Sequence, residues 1–171
     1  IEPDRKAVAR AVAAMKSAKR PLFYVGGGVI NAGKEACADL ARFIHTTGFP
    51  CTATLMGLGA FPGSDKQFLG MLGMHGTYEA NLATHDCDVL IALGSRFDDR
   101  VTGRVDAFSP NSFKIHADID PSQINKIIRV DVPIVGDAGR IIAMMIEEWE
   151  AQTAKPDTKA LETWWSRIKA W

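Results

Sequence analysis

No apolar run in this chain approaches the roughly 18–20 residues that a membrane-crossing helix requires, so a transmembrane span is not read here. Charge of one sign is also missing: Lys and Arg total 20, and Asp and Glu total 20. That balance gives no electrostatic reason for a nucleic-acid partner. Cysteine is scarce, with three in 171 residues. Cys37, Cys51 and Cys87 form no Cys-x-x-Cys pair and keep no fixed spacing to His45, His75, His85 or His116. The scatter argues against a zinc site and suits buried thiols in a reducing cytoplasm. The N-terminal Ile1-Glu-Pro-Asp is neither basic nor apolar enough for a signal peptide. It also lacks Met, which points to a segment of a longer chain. Internal repeats and low-complexity tracts are absent.

What remains is an alternation of short apolar runs and amphipathic stretches. Residues 4–18 put Ala7, Val8, Ala11, Val12 and Met15 on one helical face, stopping before Pro21. Leu22–Val25 reads as a strand that breaks into Gly26-Gly27-Gly28. Asn31 reads as the cap of a helix whose stripe is Ala36, Cys37, Leu40, Ala41 and Ile44. Strands follow at Cys51–Leu55 and Phe68–Leu72, then a helix capped by Thr77 and running to about His85. Val89–Leu93 and Phe113–Ala117 are the fourth and fifth strands. Asp120-Pro121 predicts a short helix through Ile127. Val130–Val135 is a sixth strand, at a sheet edge because of Pro133. Asp137 caps a helix carrying Ile141, Ile142, Met145 and Trp149.

All 171 residues read as one domain: a leading helix over 1–18, an α/β core over 19–150, and a linker with a tail helix over 151–171. Strands alternating with helices across short loops predict a doubly wound, six-stranded parallel sheet with helices on both faces. The expected strand order is Rossmann-like, 3-2-1-4-5-6, with a crevice between the first and fourth strands. On the tail, Trp164, Ile168 and Trp171 share a helical face while Trp165 points elsewhere. That stripe fits either burial on this domain's own core or a docking face for a neighbour.

Each expected strand ends in glycine or a polar turn: Gly26 to Gly28, Thr54 to Gly57, Gly73 to Gly76, Gly94 to Arg96, Asp118 to Asp120, and Gly136 to Ala138. In a parallel sheet these six turns share one edge. Each alone permits a tight strand-to-helix turn; aligned, they suit an elongated ligand, with helix N-termini offering N–H groups to anions. Gly26-Gly-Gly-Val-Ile-Asn31 fails G-x-G-x-x-G, and the second strand does not end in the acid that holds a ribose diol. NAD bound in the usual Rossmann manner is therefore disfavoured; a flavin dinucleotide in an extended pose would use the same edge differently. Arg96 or Arg100 would neutralise its diphosphate, and Asp118 or Asp137 would bond adenine or ribose hydroxyls.

His75 has two readings, general base or hydrogen-bonding wall, of which the wall is favoured. His45, His85 and His116 read as surface or internally satisfied residues. Ser95 lies in Gly-Ser-Arg-Phe, not in a hydrolase elbow. Asp98 and Asp99 are adjacent and diverge, so they are not a paired acid and base; Asp98 orients a neighbouring arginine.

The motifs Gly73-Met-His-Gly-Thr77, His85-Asp-Cys-Asp88, Arg96-Phe-Asp-Asp-Arg-Val-Thr-Gly103 and Asp106-Ala-Phe-Ser-Pro110 resemble the central domain of the acetohydroxyacid (acetolactate) synthase family. The likeness covers roughly residues 20 to 150. It implies a three-domain subunit in which thiamine diphosphate and Mg²⁺ bind between the first and third domains of partner subunits. The central domain holds FAD, which takes no net redox part. The family decarboxylates pyruvate and joins the two-carbon unit to pyruvate or 2-oxobutyrate, the first common step to branched-chain amino acids. The implied partners are the N- and C-terminal domains of the same subunit, a homo-oligomer, and a regulatory small subunit as a candidate.

Carried over by motif, Gly26, Gly28 and Asn31 would face the FAD backbone, with Thr54, Leu55 and Met56 beside the flavin. Gly73, Met74 and His75 would wall the same cofactor. Gly94, Ser95, Arg96, Asp98, Arg100 and Val101 would hold the ribityl-diphosphate region. Asp118, Ile119, Gln123, Gly136, Asp137 and Ala138 would take the adenine end. Arg100 would also bind the second 2-oxoacid through its carboxylate. Ser95 and Met56 differ from the residues often found at those places. The family's thiazolium-activating acid and its Gly-Asp-Gly metal motif are not in this sequence, so no catalytic or metal residue is assigned, and the chain alone is expected to be inert. The alternatives are the middle domain of a pyruvate oxidase or glyoxylate carboligase, a non-catalytic nucleotide-binding module, and an NAD-dependent deacylase. The last would need a zinc-binding cysteine set.

Overall fold

The computed structural model describes residues 1–97 and 102–171. Its strands are β1 (Pro21–Val25), β2 (Cys51–Ala53), β3 (Phe68–Met71), β4 (Val89–Leu93), β5 (Phe113–Asp118) and β6 (Val132–Val135). They form one six-stranded sheet in the order β3-β2-β1-β4-β5-β6. Every pairing is parallel. This is the doubly wound arrangement expected from the alternation. Winding reverses between β1 and β4, which run in register from Pro21 with Val89 to Val25 with Leu93. Both strands are buried at every position, as a sheet covered on two faces requires. Pro133 lies exposed on the edge strand β6, where no ladder N–H is missed.

The helices described are α1 (Arg5–Ser17), α2 (Gly27–Asn31), α3 (Lys34–Thr47), α4 (Tyr78–Asp86), α5 (Ala138–Ala151) and α6 (Thr158–Lys169). The period-two alternation of the strands sorts them into two cores. Phe23, Val25, Ile91, Leu93 and Ile115 face α1, α3 and α5. Leu22, Tyr24, Leu90 and Ala92 face α4 and α6. Each fully buried large apolar side chain contributes roughly 1.5–3 kcal/mol. Helix starts follow their caps: the side chains of Asp4, Thr77, Asp137 and Asp157 accept from first-turn backbone N–H groups.

The tail belongs to the domain's own core, so its reading as a docking face is overturned. Trp164 is 1% exposed and its Nε1–H donates to the Pro21 carbonyl at 3.0 Å. Trp165 Nε1–H donates to the Gly48 carbonyl at 2.8 Å. The linker before α6 is held as well. Lys16 lies over the Trp149 ring and donates to the carbonyls of Gln152 and Ala154.

Four local expectations are corrected. Asn31 does not cap a helix: it ends α2, which buries Val29 directly after β1, and α3 starts from Gly33 with φ 109° and no side-chain cap. The second strand ends at Ala53 because Thr54 Oγ1 accepts from Gly57 N–H and curls Leu55–Gly57 into a 3₁₀ turn. The helix expected through Ile127 is a single 3₁₀ turn, Pro121–Gln123. Asn125 there adopts φ 58°, and its side chain takes Val130 N–H, so no helix continues and β6 begins at Val132. Finally, His116 is fully buried with Nδ1 unpartnered, so it is neither a surface residue nor a fully satisfied one.

Candidate functional site

Because all six strands run the same way, the turns that follow them line the carboxyl edge of the sheet. The turns after β1 and β4 touch backbone to backbone. A Cβ on Gly28 would lie 2.8 Å from Gly94 Cα, and one on Gly26 would fall inside contact distance of Gly94 O and Ser95 Cα. Gly94 itself turns at φ 62°, in the left-handed region. Gly26 N–H donates to the Leu93 carbonyl and Gly28 N–H to the Gly94 carbonyl. Chain-on-chain packing thus accounts for these three glycines. It joins the two central turns into one continuous floor.

Met56 packs beside that floor, its Cβ 3.1 Å from where a Gly27 side chain would start. The Gly73 turn is pinned from α4: Asn81 Oδ1 accepts from Gly73 N–H at 2.9 Å and Asn81 Nδ2 donates to the Gly73 carbonyl at 3.0 Å. A β-bulge sets the approach, with Cys51 pairing Phe68 but Ala53 pairing Met71, and with Gly70 at φ 99° beneath Thr77. Met74 and His75 project exposed from this turn. Apart from the terminal Ile1, the four most exposed large apolar side chains described are Met74 at 81%, Met56 at 76%, and Leu55 and Ile119 at 68%. All four sit in turns after strands, at the same edge. Apolar exposure concentrated in this way marks a surface built to be covered.

Across β4 and β5 the edge turns polar. Arg96 is exposed, and with Phe97, Gln123, Lys126 and Ile127 it lines a cleft of ≈ 180 Å³. The cleft brings together Arg96 and Gln123, both anticipated, and adds Lys126, which was not. Ser95 is 1% exposed and its Oγ has no hydrogen-bond partner. Asp118 Oδ1 accepts from Asp120 N–H at 2.9 Å. Asp120 is held below the usual carboxylate range, chiefly by the Ser122 hydroxyl and then by Ser122 N–H. Asp137 Oδ2 accepts from Arg140 N–H as the cap of α5. Gly136 packs on Pro3. Asp98, Arg100 and Val101 lie outside the described residues.

Histidine placement divides the candidates. His45 pairs with Asp65 at 2.6 Å, and His85 is exposed. His116 Nε2 meets the Ser95 carbonyl at 2.8 Å, while Nδ1 is buried without a partner, so the expectation of a surface or fully satisfied residue fails. Burial pushes its pKa down, against the opposing pull of the Ser95 carbonyl and the Asp118 carboxylate. Among the described residues, no three His, Cys, Asp or Glu side chains gather as a metal site. Sequence reasoning missed Tyr24, Asn81, His116 and Lys126. Only Asn81 left a signal, as a polar residue with poor helix propensity one turn into α4.

Residues 8–145 match the family model described as thiamine pyrophosphate enzyme, central domain. The chain belongs to this central-domain family. Its relatives include the acetolactate synthase isozyme 3 large subunit of Escherichia coli K12, 43% identical over 164 residues, covering 96% of this chain and 28% of that protein. The acetolactate synthase large subunit of Corynebacterium glutamicum is 48% identical over 167 residues, 98% of this chain and 26% of that protein. That of Parasynechococcus marenigrum is 47% identical over 171 residues, 99% of this chain and 27% of that protein. This central domain therefore spans only 26–28% of the length of these relatives.

Proposed function

We propose that the chain is the FAD-binding central domain of an acetolactate synthase large subunit, which condenses pyruvate with pyruvate or 2-oxobutyrate. The observation that carries the FAD assignment is the carboxyl edge itself. It has exposed Leu55, Met56 and Met74 toward one side and, beside the apolar Ile119, Arg96, Gln123 and Lys126 toward the other. An isoalloxazine ring is apolar and wide, and the rest of the dinucleotide is anionic and hydroxylated, so the two halves of the edge match its two halves.

In this reading Gly26, Gly28 and Asn31 border the cofactor's backbone, and Thr54, Leu55 and Met56 flank the flavin with Gly73, Met74 and His75. Gly94, Ser95, Arg96, Asp98, Arg100 and Val101 hold the ribityl-diphosphate. Asp118, Ile119, Gln123, Gly136, Asp137 and Ala138 take the adenine end. Bound there, FAD would supply no net redox step. The chain's own groups bind and orient: Arg96 neutralises phosphate charge, and the apolar turns exclude water from the flavin face. Arg100 reads the carboxylate of the second 2-oxoacid.

N- and C-terminal domains of the same polypeptide flank this one; thiamine diphosphate and Mg²⁺ bind between the first and third domains of partner subunits, within a cytoplasmic homo-oligomer open to a regulatory small subunit. The 171-residue chain, taken as one domain, is inert alone. The test is purification of the full-length protein. One FAD per subunit and acetolactate formation from pyruvate, with thiamine diphosphate and Mg²⁺ added, support the assignment. A flavin-free protein, or a product other than a 2-acetohydroxyacid, rejects it.

A further inference from the structure

Strand register places three side chains in one row on the α4/α6 face of the sheet. Tyr24 of β1 is level with Ala92 of β4, and Ala92 is level with His116 of β5. The small Ala92 leaves room above the central strand. Phe97 fills it, because the chain leaving β4 reverses at Gly94 and folds back over its own strand. The Phe97 ring stacks on Tyr24, with centroids 5.5 Å apart and planes 5° from parallel. It also meets the His116 ring edge-on at 4.9 Å.

The polar tips of the two outer residues hold successive carbonyls of the same turn. Tyr24 Oη donates to the Arg96 carbonyl at 3.1 Å. His116 Nε2 lies 2.8 Å from the Ser95 carbonyl. A carbonyl only accepts, so Nε2 carries the imidazole proton and Nδ1 is bare. Nδ1 is buried without a partner, and Asp118 Oδ2 stands 3.7 Å from Nε2. A position shaped for packing alone would be filled by Leu or Phe at no polar cost. Here an imidazole is buried with one nitrogen unsatisfied, and the other nitrogen fastens the turn that presents Arg96 at the edge.

We propose that Tyr24 and His116 are a two-point clamp on the Ser95 and Arg96 carbonyls, and that they are positioning residues for the anionic part of the dinucleotide at this edge. The ligand half of this inference rests on the FAD assignment above; the clamp half does not. The experiment compares the full-length protein with Tyr24→Phe, His116→Gln and His116→Leu. It measures hydrogen–deuterium exchange of peptides covering residues 94–97, and equilibrium FAD binding after bound flavin is stripped.

Tyr24→Phe keeps the ring and its stacking and removes only the hydroxyl. It should speed exchange in that segment and weaken FAD binding about fivefold, the scale of one ordinary hydrogen bond. His116→Leu should do the same by roughly tenfold, since it also unseats Phe97. His116→Gln offers an amide donor near the place of Nε2 and should restore both readouts to within about twofold of wild type. Unchanged exchange and affinity in Tyr24→Phe and His116→Leu would overturn the proposal. A Gln variant as impaired as Leu would also overturn it, making ring packing rather than the donated hydrogen bond the cause. If His116→Leu fails to fold, Tyr24→Phe decides alone. If the wild type binds no FAD, the edge assignment falls, and the exchange data still accept or reject the clamp.

Discussion

Replacing Gly28 by Ala sets two known effects against each other, and the structure says which one wins. Gly28 lies within the short helix α2, where Ala gains about 0.5–1 kcal/mol over Gly through reduced backbone entropy. Against this, the new Cβ would start 2.8 Å from Gly94 Cα and 3.0 Å from Gly94 O. Carbon contacts settle at about 3.5–4.0 Å, so the turns after β1 and β4 must separate by nearly 1 Å. Both opposing atoms are backbone, and no side chain can swing away. Overpacking of this kind costs about 1–3 kcal/mol, here toward the upper end. The net expectation is a loss of about 2 kcal/mol, read as a lower urea midpoint at unchanged slope. Gly63, with no atom within 4 Å of its would-be Cβ, provides the control; its Ala variant should stay within about 0.5 kcal/mol of wild type. A Gly28→Ala protein as stable as the wild type would refute the claim that the two central turns are fused by contact.

Trp164→Phe should cost about 2 kcal/mol in the same assay, from lost volume and the lost bond to Pro21; an unchanged midpoint would mean that α6 is not part of the core. Burial raises the Cys87 thiol to about 12, and it raises Cys51 higher still, whereas Cys37 is only half-buried. A thiol reagent at pH 8 should therefore modify Cys37 in the native protein and reach the other two only on unfolding, and rapid modification of Cys87 would contradict its placement. The pKa of His116 is lowered from 6.5, so the unfolded chain takes up the proton first. Its contribution to stability is full above that unfolded value and is lost as pH falls below it. His116→Gln should flatten the decline in urea midpoint below about pH 6.5, whereas an unaltered decline would place the proton elsewhere.

Much of the fold was legible because it rests on periodicities that tertiary packing reinforces. Val89–Leu93 is apolar throughout because it is the middle of a sheet covered on both faces. Thr77 and Asp137 could be read as caps because their side chains act on neighbouring N–H groups, a local interaction. The errors fall where local chemistry had two outlets. Asn31 is a sound cap by type, but the packing of α2 against Gly94 drew it into a helix. Asp120-Pro121 does start a helical turn, but Asn125 goes left-handed and captures Val130, a competition that residue type alone does not rank.

The edge of six turns followed from parallel winding, yet its inner supports did not. Tyr24 and His116 are far apart in sequence and meet the same turn only because strand register sets them on either side of Ala92. The glycines were readable as turn formers and as ligand-facing positions. The folded chain gives them a third role, contact between turns, which no single turn could reveal.

The most direct measurement is a crystal structure of the full-length protein grown with FAD. The account predicts density for an extended dinucleotide lying across the turns after β1 and β4, with its flavin against Leu55, Met56 and Met74 and its diphosphate at Arg96. FAD bound to another domain, or an edge covered by polypeptide with no nucleotide between, would contradict it.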